Sequence, residues 1–141
     1  MVDEPTTGLD PDERIRFRNI LSHLSRNDVI IILSTHIVGD ISSTCHGMTL
    51  LNKGEVVFDG PPENLVKHAE GHVFRLILSQ NEYDFVKEKY NVISTLPVES
   101  GWDVQIVSDN PPEFRSILVT PNIEDAYVYY MEHKLQTYII D

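Results

Sequence analysis

Five consecutive apolar residues, Val29-Ile-Ile-Ile-Leu33, run without polar interruption, and all but the last are β-branched. β-Branched side chains fit a pleated strand better than a helix. The lack of apolar and polar alternation predicts a strand covered on both faces, as in a parallel sheet with helices on either side. Ser34-Thr35-His36 follows at once. Ligands of open parallel sheets gather at the carboxyl ends of the strands, so His36 becomes a candidate site residue on general grounds. The reading with no chemistry is a satisfied loop histidine, and for this residue alone it would be preferred.

A second apolar-to-polar step opens the chain, where Val2 precedes Asp3-Glu4. A carboxylate pair at a strand exit can divide two tasks, one acid holding Mg²⁺ and the other orienting a water, and phosphoryl transfer needs both. From Asp3 the chain reads Asp-Glu-Pro-Thr-Thr-Gly-Leu-Asp-Pro11. This resembles the Walker B end and D-loop of the ATPases of ABC transporters, and Val29 to His36 is similar to their H-loop. A string of this length, joined to a correctly spaced Ser-Thr-His, is far more specific than any single short motif. The resemblance implies that Asp3 acts on Mg²⁺ through water, Glu4 polarises the attacking water, His36 contacts the γ-phosphate and Asp10 works across a dimer interface. It further implies ATP and Mg²⁺ as cofactors of the full-length parent. The implied partners are transporter membrane subunits and a second ATPase subunit. The implied location is cytoplasmic, at the inner face of the cell membrane.

A phosphate cradle of the form Gly-x-x-x-x-Gly-Lys followed by Ser or Thr is absent from this sequence, and so is Leu-Ser-Gly-Gly-Gln. Such a cradle works through backbone N–H groups that wrap the phosphates and a Lys that reaches them. The chain therefore reads as a C-terminal piece, with no hydrolysis, no tight ATP binding and no cofactor bound on its own. The rival readings are a stand-alone regulatory or protein-interaction module that retains a vestigial ATPase segment, and an intact enzyme of another kind. In the family, a further strand flanks the one matching Val29 to Leu33. Without it the apolar edge would be bare, and bare edges recruit partners, so residues 1–71 are expected either to self-associate through this strand or to rearrange from the family arrangement, while the second unit folds normally.

The net charge of −11, from 22 acidic and 11 basic residues, disfavours nucleic acid and anionic membrane surfaces as nonspecific partners. The apolar runs fall far short of the ~20 residues a membrane helix needs, and no signal-peptide pattern opens the chain. A single cysteine, Cys45, precludes an internal disulfide.

Asp10-Pro-Asp-Glu13 is a strong helix start, with Asp10 as cap and Pro11 in the first position. Ile15, Ile20, Leu21 and Leu24 give this helix an apolar stripe. Ile37, Val38, Ile41 and Cys45 predict a second, short helix, with Cys45 as packing. Residues 48–52 and 55–59 flank Lys53-Gly54 as a hairpin, and a helix follows over 63–69. The expected division is the C-terminal half of a nucleotide-binding domain over 1–71 and an accessory domain over 72–141. In the second unit, strands near 73–78, 92–98, 102–106 and 117–119 and helices over 82–90, after Pro112 and from 121 to 131 predict a ferredoxin-like α+β fold. The whole is thus α/β, a partial P-loop ATPase core with a small α+β appendage. His68 and His72 straddle the boundary and make a poor metal pair. Tyr127, Tyr129 and Tyr130 read as core before they read as a partner-binding face.

Overall fold

The computed structural model describes residues 1–134. The last part of the second expected unit, residues 135–141, lies outside the described residues. The chain is mixed α and β. Its elements are β1 (Val2–Asp3), α1 (Pro11–Leu24), β2 (Leu33–Ser34), α2 (Val38–Thr44), β3 (Met48–Asn52), β4 (Glu55–Gly60), α3 (Pro62–Ala69) and β5 (Val73–Leu78). These are followed by α4 (Gln80–Lys89), β6 (Asn91–Val98), β7 (Gly101–Val107), β8 (Ile117–Leu118) and α5 (Ile123–Tyr129), which runs on as one wide turn over Tyr130–Lys134.

Among the described residues three separate sheets result. β1 and β2 pair in parallel, β3 and β4 form the expected hairpin, and four antiparallel strands stand in the order β6-β7-β5-β8. That last order is the one a ferredoxin-like sheet would have. The second crossover, however, has no helix: residues 108–116, where one was expected after Pro112, carry only turns and irregular chain. Pro111-Pro112 and the hydrogen bond from the Ser108 hydroxyl to the Asn110 carbonyl at 2.6 Å commit that segment to a turn. The full ferredoxin-like pattern is therefore not reproduced.

Local rules account for the helices that do form. Asp10 caps α1 by accepting from the Glu13 N–H at 2.8 Å. Ser79 and Glu82 close a reciprocal capping box on α4, and Asn122 and Asp125 close another on α5. Gly54 and Lys53 both take positive φ, 81° and 52°, as a tight hairpin demands.

Among the described residues two hydrophobic cores form. In one, Phe74, Leu76, Leu78, Val104 and Ile106 of the large sheet receive Val86 of α4. In the other, Leu65 and Ala69 of α3 meet Val73, Val107 and, from α5, Ile123, Ala126 and Tyr129. This second core spans the sequence on both sides of Gly71. Tyr129 is 1% exposed, lies parallel to the His72 ring with centroids 4.6 Å apart, and donates to Asp109 at 2.7 Å. His68 meets Phe58 and Tyr130 edge-on or tilted. Tyr129 is thus core, while Tyr127 is half-buried at a groove.

The N-terminal third departs from expectation. Val29 to Leu33 is not a strand buried on both faces. Only Leu33 joins a ladder, and Val29, Ile30 and Ile32 are 49%, 90% and 59% exposed. The physical reason is the lack of cover, since β1 supplies two residues of pairing and no other strand lies alongside among the described residues. Likewise, of the α1 stripe only Leu21 is buried, with Ile15, Ile20 and Leu24 exposed. What anchors α1 instead is polar: Arg18 Nε and Nη2 donate to Asp40 Oδ1 of α2 at 2.9 and 2.6 Å.

Candidate functional site

Parallel pairing decides the geometry of the site. With Val2 opposite Leu33 and Asp3 opposite Ser34, both strands leave the ladder at the same end, so Asp3-Glu4 and Ser34-Thr35-His36 emerge side by side. The Glu4 N–H extends the ladder by donating to the Ser34 carbonyl at 2.7 Å. Glu4 then turns sharply, with φ of 48°, a left-handed conformation unusual for a glutamate. Its Oε2 lies 2.7 Å from His36 Nδ1. The Thr7 hydroxyl approaches the same oxygen at 3.5 Å, a weak contact.

The neighbouring acid is also engaged. The Ser34 hydroxyl donates to Asp3, and Asp3 is exposed. A carboxylate beside a hydroxyl is a hard-oxygen donor set, the kind Mg²⁺ accepts when substrate phosphates and water complete its shell. Asp3 and Ser34 fit that ion. Among the described residues no cluster of three or more His, Cys, Asp or Glu side chains is arranged to hold a metal, so any ion here would lean on a ligand's own oxygens.

His36 leads into α2. Thr35 Oγ1 accepts from the Ile37 N–H at 2.9 Å, a side-chain turn that starts the helix one residue later. The His36 ring is 76% exposed and the Glu4 side chain 35%. A contact this wet adds little stability, so its interest is positional. Asp10 stands apart: its carboxylate is spent on capping α1, and no hydrogen bond or ion pair joins it to Asp3, Glu4 or His36 among the described residues.

Beside the site runs an apolar groove of about 860 Å³, lined among others by Ile31, Leu33, Val38, Ile41, Leu50 and Ile123, and reaching Ser34 and His36. Sequence reading missed two residues behind the site. Asp40 is 1% exposed and Thr6 2%, and the Thr6 hydroxyl donates to Asp40 Oδ2 at 2.6 Å. The available signal was an acid placed one turn past His36 in a helix otherwise striped with apolar residues.

At the same end of the parallel pair, then, Glu4 meets His36 and Asp3 meets Ser34. The chain is related to the ATP-binding proteins of ABC transporters. It is 27% identical over 136 residues to an uncharacterized ABC transporter ATP-binding protein of Synechocystis, covering 90% of this chain and 38% of that protein. It is 35% identical over 65 residues to the ABC transporter ATP-binding protein NatA of Bacillus subtilis, covering 46% and 26%. It is 39% identical over 70 residues to the energy-coupling factor transporter ATP-binding protein EcfA of Methanothermobacter thermautotrophicus, covering 50% and 22%. The chain thus spans well under half the length of these curated relatives. No family model matches it. Among the described residues no helix is long and apolar enough to cross a membrane.

Proposed function

We propose that this chain supplies the Walker B, D-loop and H-loop portion of the ATP-hydrolysing subunit of an ABC transporter, coupling hydrolysis to transmembrane transport. The observation that carries this reading is the 2.7 Å contact between Glu4 and His36 at the mouth of the β1–β2 pair. Asp3, steadied by Ser34, would hold Mg²⁺ through water. Bound MgATP supplies the electrophilic phosphorus, with the metal neutralising charge on its oxygens. Glu4 orients a water and accepts its proton as it attacks. His36, with Nδ1 turned to Glu4, presents Nε2 to the γ-phosphate, and Asp10 at the start of α1 faces a second ATPase subunit. Residues 1–71 form this part of the nucleotide-binding unit. Residues 72–141 serve as a regulatory or subunit-contact unit. The partners are membrane subunits and a second ATPase subunit, at the cytoplasmic face of the membrane.

On this reading the chain alone neither binds ATP tightly nor hydrolyses it, because its sequence has no glycine-rich cradle and no lysine placed to reach phosphates. Calorimetry of the chain with MgATP should give no micromolar binding, and a micromolar isotherm would overturn that part. In a full-length subunit containing this segment, Glu4→Gln should abolish turnover and leave ATP binding, since Glu4 handles water and not nucleotide. Undiminished hydrolysis would remove Glu4 from its role.

A further inference from the structure

Asp40 sits where three segments meet. Its Oδ1 takes two hydrogen bonds from the Arg18 guanidinium on α1, at 2.9 and 2.6 Å, and its Oδ2 takes one from Thr6 at 2.6 Å. Thr6 belongs to the loop that begins at Glu4, and Asp40 belongs to the helix that begins two residues after His36. The Asp40 N–H donates to the Ile37 carbonyl at 3.1 Å, which ties it back towards His36. Both ends of the Glu4–His36 contact therefore run, within a few residues, to one buried carboxylate.

The energetics argue that this arrangement is for geometry. A buried ion pair is dear to desolvate, and well-packed apolar side chains often serve stability as well or better. The clearest return on a buried ionic group is fixed relative placement of the segments it joins. Here the joined segments are the ones that bear the two site residues. Glu4 and His36 are too exposed to hold one another in place.

We propose that Asp40 is a positioning residue: bridging Thr6 and Arg18, it holds the Glu4 loop against the start of α2 and so maintains the Glu4–His36 contact. The claim rests on the reading of Glu4 and His36 as a working pair, and the test separates the two. It uses the chain itself and reads the His36 ring resonances by NMR. In the wild type, Glu4→Gln should shift those resonances. In a Thr6→Val background, which removes only the hydroxyl that reaches Asp40, the same Glu4→Gln change should shift them several-fold less. Thr6→Ser, which keeps the hydroxyl, should restore the full response. If Glu4→Gln leaves the His36 ring unmoved in the wild type, the pair itself fails and the clamp with it. If the response is undiminished in Thr6→Val while thermal stability falls, Asp40 is structural only and the clamp alone is overturned. Should Thr6→Val not fold, judged by the amide spectrum of the β5–β7 strands, Arg18→Lys serves in its place. It keeps the charge and loses the guanidinium's pair of hydrogen bonds to Asp40 Oδ1, so it should weaken the response, and an undiminished response would again overturn the clamp.

Discussion

Glu4 takes a backbone conformation that costs a residue with a Cβ about 1 kcal/mol or more, and gains from His36 only an exposed contact. Glu4→Asn, with a side chain tolerant of positive φ, should therefore leave thermal stability unchanged or raise it, by up to about 0.5 kcal/mol. Chemical denaturation of the two chains checks this, and a clear loss would show that Glu4 is not strained. Gly101 is the opposite case. Its φ is 147° and an added Cβ would lie 2.0 Å from the Leu78 carbonyl oxygen, so Gly101→Ala should destabilise by roughly 2 kcal/mol or more. At Tyr129, burial first and the hydrogen bond to Asp109 second push the phenol well above its ordinary range. The folded chain therefore keeps a proton that the unfolded chain releases above about pH 10. Stability is fully present below that pH and falls as pH rises beyond it. Tyr129→Phe should flatten that alkaline decline while losing about 1 kcal/mol at neutral pH, both readable from denaturation at pH 7 to 11. At this scale the sequence was most informative where a string of residues left few alternatives: Glu4 meets His36, and Asp3 lies against Ser34 at the same strand end. Asp10 was legible as a cap but not as a neighbour of the others, and Thr6 and Asp40 were not legible, since the value of a buried polar group lies in partners far along the chain.

Among the elements, α4 depends on its cap. Ser79 accepts from the Glu82 N–H at 3.3 Å and the Glu82 carboxylate accepts from the Ser79 N–H at 3.0 Å. That last bond holds the Glu82 carboxyl below its usual range. A depressed carboxyl contributes above its unfolded value and loses that contribution as pH falls through its folded one. Asp103, lowered chiefly by its hydrogen bonds from Arg75, acts in the same direction. Acid should therefore weaken α4 and the β5–β7 pair together. Ser79→Ala should cost about 1 kcal/mol at neutral pH and steepen hydrogen exchange in α4 while sparing α5. Helix caps, the hairpin and the β5–β7 strands were legible because local chemistry sets them: alternation, capping residues and a Gly at a positive φ. The missing helix after Pro112 and the exposed stripe of α1 were not. A pattern says which face is apolar, but whether anything covers that face is a matter of what else packs there.

For the molecule as a whole, the uncovered run is the most consequential feature: a bare apolar stretch was expected there, but the strand extends only over Leu33 and Ser34. Ile30 and Ile32 stand in water beside a two-residue ladder, a bare edge of the kind that pairs with other chains. Light scattering should find species larger than a monomer, concentration-dependent and shifted towards monomer by Ile30→Lys. A monomer at all concentrations would dismiss self-association. Elsewhere, α3 and α5 share a core built from residues on both sides of Gly71. A protease that nicks the chain at that glycine should thus leave two polypeptides that elute together until denaturant parts them. Any push on the helix after the hairpin would likewise be felt by the four-stranded sheet.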